Sequence, residues 1–396
     1  MNPNIENLYR IAKKRQRNVI GLMSGTSFDG LDIAMCQFKG SGEQTHFTLL
    51  HFVTKEYDAE FKEELKSIFA KRTVDLERIA LLNAYIGDYY ASLILASLAE
   101  WGMEKKDVDL IASHGQTVFH APKHLHGIEK YGNATFQIGD ADHLAVKTGI
   151  ITLSDFRQKH VAVGGEGAPL AVYGDYLLFS NFKENRILLN IGGIANFTYL
   201  PAGSLKGGFS TDVGPGNTLM DQYIQLKFPG NYYDKDATIA SAGTVNELLL
   251  KALLDHRFFE APFPKTTGPE LFSLSYIDEA IARSGQQGIN DYDVMATLVR
   301  FSASCIANAI VRCLSGAPYE LYVSGGGVYN PLLMRYVENL LGNKLRTTDE
   351  LGINPDAKEA VLFALLANEA IVGGRTDFKA AINSPAVSMG KISFPS

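Results

Sequence analysis

Three short apolar runs in this chain each end in a tight turn of glycine and hydroxyl residues, and this repetition constrains the fold more than any other feature. The first turn lies in Gly21-Leu22-Met23-Ser24-Gly25-Thr26-Ser27-Phe28-Asp29-Gly30, between strands expected at 19–22 and 31–38. The second is Asn190-Ile191-Gly192-Gly193, between β-rich runs at 187–191 and 194–200. The third, Ser324-Gly325-Gly326-Gly327, follows a strand at 321–324 and precedes a helix starting near Pro331. Glycine lets the backbone turn tightly and bring N–H groups close to an anion, while Ser and Thr hydroxyls add donors. One such turn has a plain structural explanation. Three in this order point to a triphosphate held between two hairpins, with the third turn flat against the nucleotide's sugar and base. The other nucleotide folds are excluded directly. The chain has no G-x-x-x-x-G-K-[ST] loop, no G-x-G-x-x-G after its first strand, and no protein-kinase signature set.

Between these turns, short β-type runs alternate with amphipathic helical stretches, the α/β pattern. Phe61, Leu65, Ile68 and Phe69 share one helical face. Longer helices are expected at 81–98 and 295–313, a short strand at 110–113, and a last helix at 360–371 opened by Asn354-Pro355-Asp356. A length of 396 residues with 46% hydrophobic content suits a globular protein of two domains.

A net charge of −6 argues against nucleic acid as a partner. The basic run Lys13-Lys14-Arg15-Gln16-Arg17 reads as a solvated turn before the first strand. No apolar stretch approaches the ~20 residues of a membrane span, and the N-terminal segment lacks the apolar core of a signal peptide, so no membrane role and a cytoplasmic location are expected. Cys36, Cys305 and Cys313 are widely spaced core residues, suited to a reducing compartment. His120, His124 and His126 fall in a Pro- and Lys-containing loop and read as surface residues; no metal site is expected from protein side chains.

Thr211-Asp212-Val213-Gly214-Pro215-Gly216-Asn217 places an aspartate before a rigid bend. Phosphoryl transfer needs a positioned base for the nucleophile, and Asp212 is the candidate. The alternative, a cap for a helix at 219–226, can be served equally by Asn217. Asp234-Lys235-Asp236 and Lys265-Thr266-Thr267-Gly268-Pro269-Glu270 read as polar loops, either solvated or close to the ligands.

At these residues the sequence resembles the anhydro-N-acetylmuramic acid kinase family. The likeness runs through GLMSGTSFDGLD at 21–32, SHGQT at 113–117, QIGD at 137–140, DFR at 155–157, GGEGAPL at 164–170 and NIGGIAN at 190–196. It continues through DVGPGNTLMD at 212–221, YDKDA at 233–237, PKTTGPELF at 264–272, GGGVYNPLLM at 325–334 and Glu359. The resemblance implies an α/β fold of two related actin/hexokinase-like (ribonuclease H-like) domains with an active-site cleft between them. The expected bounds are 1–160 plus 370–396 for the first domain and 161–369 for the second, which carries nucleotide and base. The implied reaction uses ATP and Mg2+. Water opens a 1,6-anhydro sugar and the released O6 takes the γ-phosphate, giving N-acetylmuramic acid 6-phosphate in peptidoglycan recycling. The family's base falls on Asp212. The nucleotide side takes Gly25, Thr26, Ser27, Asp29, Gly30, Asp32, Asn190, Gly192, Gly193, Gly325, Gly326 and Gly327. The sugar side takes Thr117, Asp155, Arg157, Lys159 and Glu359, and a homodimer is implied.

The sequence departs from the family at Gln158, Lys159 and His160, where D-F-R-R-R-D is usual, and at Glu166, where Gln is common. Arg157 and Lys159, two apart on a β-like run, are expected to face one side and meet the substrate's lactyl carboxylate. A kinase of another anhydro sugar (levoglucosan-like) and a non-catalytic sugar sensor are the alternative readings.

Overall fold

The computed structural model describes residues 1–168, 170–203, 207–268, 270–373 and 385–396. Pro169 and Pro269 of the quoted motifs, and 374–384 of the segment expected in the first domain, lie outside the described residues. The strands in chain order are β1 Gln16–Ser24, β2 Gly30–Lys39, β3 His46–Glu56, β4 Leu110–Ala121, β5 Ala134–Ile138 and β6 Thr152–Ser154. They continue as β7 Asn185–Ile191, β8 Ile194–Leu200, β9 Phe209–Pro215, β10 Tyr319–Ser324, β11 Arg346–Thr347 and β12 Lys391–Ser393.

One sheet runs β12-β6-β4-β1-β2-β3, with β5 on β4; the other runs β11-β10-β7-β8-β9. In each sheet a three-stranded antiparallel meander comes first, β1–β2–β3 or β7–β8–β9. Two further strands then add in parallel on the far side of the meander's first strand. A parallel addition needs a crossover, and long helices stand at equivalent places: Leu76–Glu100 between β3 and β4, Asp291–Leu314 between β9 and β10. The two units are therefore topological copies, the ribonuclease H-like plan that the family resemblance implies.

The compact units are Met1–Leu178 with Gly352–Ser396, and Phe179–Leu351. The first unit thus takes in 161–178 and 352–369, which the sequence reading had placed in the second. Packing explains the difference. Helix Lys358–Val372 lies on β1, β2 and β4, so close that a Cβ on Gly21 would stand 1.9 Å from the Ala360 carbonyl oxygen. Helix Ala171–Phe179 packs on that helix in turn, with Gly174 against Leu362.

Each unit has its own apolar core. In the first, Ile20, Leu22, Ile33, Phe61, Ile86, Ile94 and Ile111 are buried together. In the second, Leu189, Phe197, Val213, Leu298, Phe301 and Leu333 form the centre. Contrary to the sequence reading, two helices among the described residues are long and apolar enough to span a membrane by length and composition, Leu76–Glu100 and Asp291–Leu314. Both are crossover helices packed on sheets; 83% of the apolar window of the second is buried in its unit. Cys36 and Cys305 are buried and Cys313 is half-buried. The N-terminal basic run is not uniformly solvated. Arg17 is 3% exposed, its Nε donating to Asn368 Oδ1 at 2.8 Å and its Nη2 to the Gly40 carbonyl at 2.9 Å. A guanidinium too polar to bury alone is admitted because helix Lys358–Val372 supplies an acceptor.

Candidate active site

In the second unit, β7, β8 and β9 carry Asn190, Asn196 and Asp212 in one cross-strand row, extended to Ser324 on β10. Gly192 and Gly193 close the β7–β8 turn. Their carbonyls are taken by the segment after β9: Gly193 O accepts from Gly216 and Thr218 N–H at 2.8 and 3.0 Å, and Gly192 O from Asn217 N–H at 2.8 Å. Among the described residues the N–H groups of Gly192 and Gly193 have no backbone acceptor. The turn therefore keeps unspent donors, which suits an anion.

The glycines divide into two kinds. A Cβ on Gly325 (φ +86) would lie 2.7 Å from Asn190 Oδ1 and 2.8 Å from the Ile191 carbonyl, and one on Gly327 would lie 2.2 Å from Ile191 Cγ2. One on Gly216 would lie 2.2 Å from the Gly192 carbonyl. Those glycines are needed for packing, and they bring the third turn onto the second. Gly192, Gly193 and Gly326 meet nothing closer than ordinary contact, so nothing in the fold itself requires glycine there.

Asp212 sits on β9, half-buried, not on the turn that follows. It does not cap helix Thr218–Lys227. Asn217 stands at that cap position, without a side-chain cap bond. Instead the loop at 265–267 pairs with Asp212: its N–H donates to the Lys265 carbonyl at 2.9 Å, and its Oδ2 accepts the Thr267 N–H at 2.9 Å. Burial raises the Asp212 carboxyl above its ordinary range and Glu270 pushes the same way, while the Thr267 N–H opposes. The Lys265 ammonium is held by the Phe258 carbonyl at 2.6 Å under the rings of Phe258 and Phe263, and burial lowers it to about 8. The polar loop of the sequence reading is thus the clamp of the base. Its contact spans 55 residues, beyond any local signal. Asp221, one turn into the next helix, is pushed up to about 6 by burial; sequence reasoning gave it no role.

In the first unit the β1–β2 turn exposes Thr26, Ser27 and Asp29 while Phe28 turns inward. Phe28 has φ 60, unusual for a bulky residue, and its ring packs edge-on against Phe69 at 5.2 Å. That buried ring pins the turn. The N–H groups of Thr26 and Ser27 have no backbone acceptor among the described residues, and a Cβ on Gly25 would meet nothing nearer than Ser27 Oγ at 3.7 Å. Gly30 is different: a Cβ there would lie 2.5 Å from the Lys55 carbonyl, so packing on β3 explains it. A buried hydroxyl chain holds the base of the turn, with Tyr57 donating to Ser24 Oγ at 2.8 Å and Ser24 to Gln116 Oε1. Asp32, on β2, accepts from Thr54 Oγ1 at 2.6 Å; burial raises it, as do Asp356 and Asp29.

The sugar-side residues split. Helix Phe156–Ala162 replaces the expected β-like run, so residues two apart lie about 200° around it. Arg157 is half-buried and Lys159 exposed, and the expected same-side pair does not form. Arg157 donates from Nε to His114 Nε2 at 2.9 Å and from Nη1 to the Gly167 carbonyl at 2.6 Å. Burial lowers its pKa while Glu359 raises it. Glu359, in the first turn of helix Lys358–Val372, is itself raised by desolvation and by Asp32, against the pull of Arg157. Asp155, in a left-handed conformation at φ 54, is ion-paired with Lys391 of β12. It lines a cavity of about 220 Å³ with Ser113, His114, Gln137, Asp140 and Ser154. Thr117 Oγ1 accepts from Gln137 Nε2 at 3.3 Å.

The departures also find local reasons. His160 is buried and its Nδ1 accepts the Gly167 N–H at 2.9 Å, so it supplies the acceptor an aspartate would, without charge. Glu166 pairs with His124 at 3.1 Å on an exposed surface. Among the described residues no cluster of three or more metal-binding side chains occurs.

The sequence pattern of the family described as "Anhydro-N-acetylmuramic acid kinase" matches residues 17–392. The chain belongs to the anhydro-N-acetylmuramic acid kinase family. A relative of that name from Pseudoalteromonas atlantica is 54% identical, with all of both chains covered, and one from Pseudoalteromonas translucida is 49% identical, again over both whole chains. A third, from Caldanaerobacter subterraneus, is 38% identical over 98% of this chain and all of its own.

Proposed function

We propose that this chain is an ATP-dependent kinase that opens 1,6-anhydro-N-acetylmuramic acid and phosphorylates its O6, giving N-acetylmuramic acid 6-phosphate. The reaction serves peptidoglycan recycling in the cytoplasm. The observation that carries it is Asp212: a half-buried carboxylate held by the Thr267 N–H, on the strand that leads directly into the segment closing the Gly192-Gly193 turn. Burial raises its pKa, which makes the carboxylate a stronger base than an exposed aspartate.

Asp212 takes a proton from water as the water oxygen bonds to the anomeric carbon. The C1–O6 bond breaks, its electron pair goes to O6, and O6 attacks the γ-phosphorus with ADP leaving. The unspent N–H groups of each hairpin suit phosphate oxygens, and the packed third turn suits the nucleoside. Asp29 and Asp32 suit Mg2+, since this ion takes one or two carboxylates plus substrate phosphates and not a full protein cage; burial raises Asp32, and the Asp356 and Asp29 charges push the same way. Bound there, Mg2+ supplies neutralisation of the phosphate charge. Thr117, Asp155, Arg157 and Glu359 serve the sugar, with Arg157 on the lactyl carboxylate.

Incubation with ATP and the anhydro sugar in ¹⁸O-water tests the reading. Labelled oxygen on the anomeric hydroxyl and unlabelled oxygen in the C6 ester are expected. Absence of ADP formation, or label in the ester, overturns it.

A further inference from the structure

His114 belongs to the SHGQT motif but has no part in the mechanism above. It is 3% exposed and packs against Phe363 with ring centroids 4.7 Å apart. Its Nε2 lies 2.9 Å from Arg157 Nε. An arginine Nε–H only donates, so the imidazole nitrogen accepts and the ring carries its proton on Nδ1. The guanidinium's other contact is the Gly167 carbonyl, also neutral. Among the described residues no carboxylate pairs with Arg157; Glu359 acts on it only as a field.

This is an unusual way to hold a half-buried cation, which is ordinarily given a carboxylate partner. A carboxylate at position 114 would fix the guanidinium equally well but would neutralise it. A neutral acceptor fixes it and leaves the charge unspent. We infer that His114 is a positioning and specificity residue, orienting Arg157 through an uncharged hydrogen bond so that its positive charge is kept for an anionic group on the substrate. This rests on the reading that Arg157 meets the lactyl carboxylate. Burial and the neighbouring Arg157 charge push the imidazole down to about 3, so the ring stays uncharged at neutral pH.

The test compares binding of the anhydro sugar acid and of its lactyl methyl ester by calorimetry, without nucleotide, in the full chain. The quantity read is the ratio of the two Kd values. Arg157→Met is expected to erode the preference for the acid by about 10–100-fold, the range for a lost charge-assisted hydrogen bond. His114→Glu, which places a carboxylate on Arg157, is expected to erode it by about tenfold. His114→Gln, a neutral acceptor, should rescue it to within about threefold of the parent. Equal preference in the Glu and Gln variants, with the preference eroded in Arg157→Met, overturns the role of His114 and leaves the substrate reading intact. No change of preference in Arg157→Met overturns that reading itself. Should His114→Glu fail to fold by thermal unfolding, His114→Met replaces it. Met packs on Phe363 without a comparable acceptor, so a Met variant that holds the parent preference refutes the proposal.

Discussion

Gly193→Ala and Gly325→Ala should fail for opposite reasons, because one glycine serves the fold and the other serves the ligand. At Gly325 the backbone is at φ +86, where an L side chain costs about 1–2 kcal/mol. The added methyl would also stand 2.7 Å from Asn190 Oδ1 and 2.8 Å from the Ile191 carbonyl. The latter is backbone and cannot step aside, so overpacking adds about 1–3 kcal/mol. The sum, about 2–5 kcal/mol, corresponds to a fall of about 5–15 °C in Tm for a unit of this size. Gly193 is outside the left-handed region and its nearest neighbour to an added Cβ is Thr218 Cβ at 3.8 Å. Its alanine variant should melt within about 2 °C of the parent. The methyl projects into the cradle instead, and loss of a charge-assisted bond to phosphate is worth about 1.5–3 kcal/mol, or about 10–100-fold in KM for ATP. Calorimetric melting of both variants without ligand, with ATP kinetics on each, gives the answer. If Gly193→Ala melts as low as Gly325→Ala, or keeps the parent KM for ATP, the division of glycines is wrong.

Two further outcomes are expected. Asp212→Asn should fold and bind ATP but lose about 10²–10⁴-fold in kcat; near-normal turnover would remove Asp212 from the chemistry. The acid limb of kcat/KM should lie above the ordinary aspartate range, because activity needs ionised Asp212 and its pKa is raised by burial and by Glu270. Glu270→Gln removes one raising charge, so the limb should move to lower pH; a limb that stays or rises contradicts the assignment.

The sequence by itself determined the α/β class, the position of the glycine turns and the candidate base. Those features are local: alternation, helical period and strand-to-turn punctuation are written within a few residues of one another. The hairpins around Gly25 and Gly193 form where apolar runs flank small residues, and the family motifs carry the rest. The tertiary structure decided what each residue is for. Gly30, Gly325 and Gly327 are glycine because segments distant in the chain crowd them, whereas Gly25 and Gly193 have room. Arg157 and Lys159 part company because 156–162 is helical, a choice that seven polar and apolar residues do not announce. Asp212 owes its clamp to Thr267, and Arg157 its orientation to His114, 43 residues away. Hydrogen bonds of that span exist only once the sheets are assembled, and burial, which sets every shifted pKa at the site, is a property of the assembled core and not of any segment.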